Sequence, residues 1–525
     1  MKYYPIHMHL HCSHEASASL NSHMSIARSL GIRYIWTTEH DTRISKPKGR
    51  YFSFFFPEKS LYVVLPDGRS AGFTESEGNS GGYAFKEDRD GVSLCVYANK
   101  GERETLCFQS KGKKHSDPLF SRITVELDAD IKIKETGRAI VEFVLSAQPP
   151  TYKQVRLCYV FGNTVKTDDN VPTQYLPFPK KRNGKYVFEV FKDVSEDIGG
   201  TDNALCNVDL IAENGAEITF RSFDFSRELE FEKTRQAQIE LAEKIGKKYG
   251  VKAFVGFEVT GAGNHKNCFS TGTPVIEYAA LDYKVSNLQA VEYLQKHGAT
   301  YSWNHPFALY KKSEKSKEEI FKTVEKDLIA DKVFGADLIE VGFPFGRDNF
   351  DAKDYLRLWD RLSESGIMIT GYGDSDNHHA TSDGWTTGNN FCAFAGLDDG
   401  DEPTEENFIK AFRRGTLWSG NPVMVRNFSF KANGKEQGSI ICGKRICVEF
   451  CATDIKCEGY AVCISDGKEI KRIPIKNGCV FGKWVLHRRN KYNFARVELY
   501  NDENVLFAFS NPIYLADERA EIQER

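Results

Sequence analysis

Two kinds of hydrophobic patterning divide this chain. At both ends, short apolar runs alternate with amphipathic stretches of helical period, and a long tract of period-two alternation lies between them. YYPIHMH reads as a strand, NSHMSIARSLG as a helix with Asn21 or Ser22 as N-cap and Gly31 as its stop, and RYIWTT as a second strand ending in TEHD. From about Ser53 to Asp224, runs such as RAIVEFVLSA, KQVRLCYVFG, KYVFEVF and AEITFRSF are separated by Gly, Asn and Asp turns. Alternation of this kind predicts an all-β, sandwich-like region.

The strand–helix rhythm then resumes. RELEFEKTRQAQIELAEKIGKKYG, SNLQAVEYLQKHG, KEEIFKTVEKDLIA and DAKDYLRLWDRLSESG predict helices. Between them VKAFVGFEVTG, ATYSWNHP, ADLIEVGF and IMITGYGDSDNHH predict strands. About seven or eight such units predict an α/β fold with a parallel sheet closed into a barrel. The expected organisation is a barrel part over 1–50, an inserted β-rich domain over 51–227, the rest of the barrel over 228–422, and a small C-terminal β domain with a charged tail over 423–525.

Composition narrows this only modestly. The 525 residues are too many for one ordinary core. Lys+Arg (70) and Asp+Glu (73) nearly cancel, so neither nucleic acid nor an anionic membrane is an expected partner. No apolar run has the length of a membrane span, and the first residues lack an apolar leader, so a cytoplasmic location is expected. The 13 cysteines include no Cys-x-x-Cys pair and are expected to be reduced.

Candidate chemistry lies where the strands end. His7, His9, His11 and His14 crowd the first strand, and residues two apart in a strand share a face. RYIWTT ends at Glu39-His40-Asp41, AFVGFEVTG carries Glu258 and is followed by His265, TYSWNHP carries Asn304 and His305, and GYGDSDNHH carries Asp374, Asp376, His378 and His379. In a β/α barrel all these ends converge on one mouth. So many imidazoles and carboxylates brought together without water would need a counter-charge, and a polynuclear metal site supplies it.

The ordered set His-x-His, Thr-Glu-His, Gly-x-Glu with a following His, Asn-His-Pro and Asp-x-His resembles the PHP (polymerase and histidinol phosphatase) family, over 1–45 and about 228–515. The nearest likeness is to its carbamate-hydrolase-like branch. The resemblance implies a distorted seven-stranded, TIM-like β/α barrel holding two or three divalent ions. It implies that His9, His11, Glu258 and Asp376 bind one ion. Glu258 would bridge to a second with His265 and His305, and Glu15, His40 and His378 would hold a third. His14 competes with Glu15 for the last role. The chain departs from the commoner family pattern with His7 in place of Asp and Glu39 in place of Asp.

Nitrogen and oxygen donors without thiolate suit Zn²⁺, Mn²⁺ or Fe. The expected activity is hydrolysis of a small-molecule substrate, phosphorylated in the leading case. Glu258 and Asp376 would serve as catalytic ligands of a metal-bridged hydroxide, and His7, Asp374 and His379 would orient ligands or shuttle a proton. A carbamate, aryl-ester or amide substrate at the same site is the second reading. Arg43 and Arg347 would favour phosphate, and an apolar mouth of Trp303, Phe343, Phe345 and Trp385 an aryl ester. A third reading is a non-catalytic carbohydrate- or partner-binding scaffold. It rests on the aromatic runs RYFSFFFP and TQYLPFP and needs a broken ligand set.

Overall fold

A computed structural model describes residues 1–12, 20–41, 49–64, 70–89, 91–111, 123–134, 136–148, 153–163, 171–194, 205–227, 231–278, 285–310, 313–342, 350–378, 385 and 391–517. The chain divides into two compact units. One comprises Met1–His11, Ile26–Thr42 and Ala242–Arg525, and the other Cys12–Ser25 and Arg43–Leu241.

The second unit contains two seven-stranded sheets, almost wholly antiparallel. Alternate residues of each strand point inward, so both sheets contribute to one core: Phe73, Phe108, Val141 and Phe143 from one, Val125, Phe220 and Phe223 from the other. Aromatic edges and faces meet there, with Phe54–Phe108 and Phe220–Phe223 centroids each 4.7 Å apart. The aromatics of RYFSFFFP divide: Phe54 and Phe56 are core, whereas Phe55 is exposed.

In the first unit, β1 (Lys2–Leu10), β2 (Tyr34–His40) and β3 (Lys252–Val259) are parallel neighbours, and β4 (Lys266–Cys268) folds back antiparallel on β3. Three further strands, β5 (Ser302–Trp303), β6 (Leu338–Gly342) and β7 (Thr370–Gly373), form a separate parallel sheet. The helices between them are fixed by their own caps. Ser286 and Gln289 box the start of α1 (Asn287–Lys296), Ser316 and Glu319 that of α2 (Lys317–Ala330), and Asp351 and Asp354 that of α3 (Ala352–Glu364). Beneath the parallel strands, Trp36 is fully buried against the rings of Phe254, Phe269 and Phe412. Each such ring pair adds about 0.5–1.5 kcal/mol beyond its buried area.

The expected distorted (β/α)7 TIM-like PHP barrel is not formed among the described residues. Its strands do not join into one parallel sheet: β8 (Cys392–Leu397) runs antiparallel to β1, pairing Lys2 with Leu397 and Ile6 with Ala393, and among the described residues only a single bridge, Leu10 with Asn377, links β1 to the segment after β7. From β8 the sheet continues through Leu417–Gly420, Leu506–Ser510, Tyr492–Asn501, Gly459–Ser465 and Lys468–Pro474, each antiparallel to the one before. The result is a twelve-stranded sheet and a three-stranded one, with more strand than helix among the described residues. Among the described residues no helix is long and apolar enough to cross a membrane.

Candidate metal centre

Strand alternation determines the first donors. Ile6 and Met8 enter the core beneath the sheet, which leaves His7, His9 and His11 on the other face, all fully buried. Register brings the rest. Glu258 of β3 pairs directly with His40 of β2, and His40 Nδ1 lies 2.9 Å from Glu258 Oε2. The loop after β7 docks on the end of β1, where His11 N–H donates to Asn377 O (3.0 Å) and Asn377 N–H to His9 O (3.3 Å). The same docking carries Asp376 and His378 to the histidines. His305 and Asp376 both have φ of 43°, a left-handed conformation costly for a non-glycine residue and concentrated at functional sites.

Glu258 is the hub. Its Oε1 lies 3.1 Å from His265 Nδ1, 3.3 Å from His9 Nε2 and 3.5 Å from His305 Nε2, while Oε2 faces His40 and, at 3.9 Å, His11. Asp376 Oδ1 lies 3.1 Å from His11 Nε2 and 3.4 Å from His9 Nε2, and those two imidazole nitrogens are 3.0 Å apart. The rings of His40 and His378 stand 4.4 Å and 4.2 Å from that of His11. Two donors about 2.1 Å from one ion and roughly 90–110° apart are separated by about 3.0–3.4 Å. The spacing of His9, His11 and Asp376 would suit a shared ion. The sets His9–Glu258–His305 and His11–His40–His378 likewise offer atoms within 4.8 Å of one another.

A further ring of buried groups holds these donors. Asn304 donates to Glu258 Oε1 (3.1 Å), and its own carbonyl accepts from the hydroxyls of Ser302 (2.6 Å) and Tyr372 (3.0 Å), which fixes the amide orientation. Glu340, in β6, accepts from both the backbone and the Nδ1 of His305, and Asp374 Oδ2 lies 3.3 Å from His9 Nδ1. His7 has a different environment. Its Nε2 is 2.8 Å from Ser375 Oγ, and its ring packs 4.3 Å from that of Trp385.

The electrostatics are those of a donor cluster balancing its own charge. Burial disfavours the charged form of His9, but Asp374, Asp376 and Glu258 outweigh it and hold the imidazole well above its usual range. His305 is pushed up to about 10, burial being overcome by Glu340 and Glu258. Burial, with His378 and His40 alongside, drives His11 well below its usual value. Glu258 is held low against its burial by His265 and His9. Burial and the neighbouring Glu340 charge raise Asp374.

Sequence reasoning named His9, His11, His40, Glu258, His265, His305, Asp376 and His378, and the structure brings all of them together. Glu15, its rival His14, and His379 lie outside the described residues, as do Arg43, Phe343, Phe345 and Arg347. Trp303 and Trp385 are buried and do not line an open mouth. Glu340 was missed. Its only signal was a lone carboxylate inside the apolar run LIEVG.

No family model and no curated protein matches the chain. Among solved structures, slight likeness is found to an endo-1,4-β-glucanase (11% identity, 34% of this chain and 100% of that one, TM-score 0.24). A family 12 xyloglucanase from Bacillus licheniformis (10% identity, 34% and 98%, TM-score 0.21) is similar to the same degree. So is a family 11 carbohydrate-binding module of a Clostridium thermocellum cellulase (11% identity, 34% and 95%, TM-score 0.20).

Proposed function

We propose that this chain is a divalent-metal-dependent hydrolase acting on a phosphoester. The observation that carries the proposal is the fully buried Glu258 carboxylate within 2.9–3.5 Å of nitrogens from His9, His40, His265 and His305. With Oε1 toward one set of histidines and Oε2 toward another, it suits a bridging ligand. His9, His11 and Asp376 would complete one ion, His265 and His305 a second, and His40 and His378 would take part in a third. Bound there, Zn²⁺, Mn²⁺ or Fe would supply Lewis acidity, a lowered pKa for water, and charge to match a phosphoryl transition state.

The chain's own residues do the positioning. Asn304 sets the plane of Glu258, and Glu340 and Asp374 face the Nδ1 atoms of His305 and His9, leaving each Nε2 directed at the shared carboxylates.

The test is a panel of aryl phosphates, phosphodiesters and aryl carbamates with Mn²⁺ or Zn²⁺ added. Wild type is expected to turn over phosphoesters, and Glu258→Gln to lose that activity. Equal rates for the two proteins across the panel would overturn the proposal, and turnover of carbamates alone would transfer it to the second substrate class.

A further inference from the structure

The loop that delivers His265 is built around a buried lysine, whose pKa burial pushes down to about 7. Lys266 is fully buried in β4, one residue beyond the histidine. An ammonium has three protons to donate, and Lys266 Nζ has three acceptors: Ala262 O at 3.0 Å, Asn264 O at 2.5 Å and Asn287 Oδ1 at 2.7 Å. Below it, the Trp303 ring centroid is 4.8 Å away. Two of those acceptors are backbone carbonyls of the turn between β3 and β4, and the third anchors that turn to the first residue of α1.

The glycines of TGAGNHK fit the same construction. A Cβ on Gly263, whose φ is +67°, would lie 2.7 Å from the Asn287 amide, and one on Gly261 would lie 2.4 Å from the Tyr278 ring. Tyr278 in turn donates to Asp41 Oδ2, while Thr260 N–H donates to Asp41 Oδ1. His265 contributes 35% of its side chain to solvent, unlike the enclosed His9 and His11, so neighbouring side chains hold it least and its loop must hold it most.

We infer that Lys266 is a positioning residue that acts through His265: it ties the Ala262 and Asn264 carbonyls and Asn287 into one frame and so aims that imidazole at the ion shared with Glu258 and His305. This rests on the metal reading above. It assigns to the lysine a structural bond to its own loop in place of a role on substrate.

The test is a titration with Co²⁺, following visible absorbance and stoichiometry, of wild type, Lys266→Met, His265→Ala and the double variant. Lys266→Met is expected to bind one ion about 10–100-fold more weakly and to keep the others. Adding it to His265→Ala is expected to cost nothing further, because the group it positions is gone. Asn287→Ala, which removes one acceptor of three, is the milder variant if Lys266→Met does not fold. It is expected to weaken the same ion by a smaller factor and likewise to be silent beside His265→Ala. Wild-type affinity in both Lys266→Met and Asn287→Ala, or losses that multiply with His265→Ala, would overturn the inference while leaving the metal reading intact. A wild type that binds no Co²⁺ would overturn both.

Discussion

Glu340 accepts two hydrogen bonds from one residue, His305, through its backbone N–H (2.6 Å) and its Nδ1 (2.5 Å). The Nδ1 bond orients the ring with Nε2 toward Glu258, and the backbone bond stabilises the left-handed conformation of His305. Glu340→Gln keeps the shape but loses the charge. It is expected to weaken metal binding by about 10–100-fold, measured by chelator competition. Unchanged affinity would show that the carboxylate does not orient the ligand.

Metal binding should release protons. His9 and His305 are held charged by surrounding carboxylates, His305 up to about pH 10, whereas an ion takes only the neutral imidazole. Calorimetry at pH 7–8 in buffers of different ionisation enthalpy is expected to show a buffer-dependent heat corresponding to net release. Affinity is expected to rise with pH. For the metal-free protein the sign reverses. A histidine with a raised folded pKa stabilises fully below the unfolded value of about 6.5 and loses that contribution as pH rises through the folded one. Metal-free protein is therefore expected to lose stability between neutral pH and about pH 10.

Asn304 is predicted to matter through its acceptors as much as its donor. Asn304→Ala removes the hydrogen bond to Glu258 and leaves the buried hydroxyls of Ser302 and Tyr372 without their shared carbonyl. The expected cost is about 1–3 kcal/mol in denaturant unfolding, together with weaker metal binding.

Arg496 separates folding from the site. It is fully buried, bonds Asp360 through Nε and Nη2 at 2.8 Å each, and pairs with Glu498 through Nη1. Arg496→Met strands two buried carboxylates, so a loss of roughly 3–5 kcal/mol in unfolding free energy is expected, with metal content per folded chain unchanged.

The candidate site was legible in the sequence because histidines and carboxylates at strand ends stand out by residue type and strand position, which are local properties. His9, His40, Glu258, His305 and Asp376 could each be read that way. Closure was not legible. CAFAGL, the run that forms β8, is buried along its whole length, and a continuous apolar run of this kind ordinarily reads as a parallel strand. It pairs antiparallel with β1. The same limit hid the extent of that sheet, because pairings such as Trp418 with Ser510 join segments with no common local pattern. Glu340 escaped for a third reason. A single charge in LIEVG looks like an exception in a strand until His305 stands beside it.

Metal analysis of purified wild type and Glu258→Gln tests the account most directly. Wild type should hold two or more divalent ions per chain, and Glu258→Gln should lose most of them while remaining folded. Full occupancy in the variant, or a wild type that retains no ion when supplied with Zn²⁺ or Mn²⁺, would contradict it.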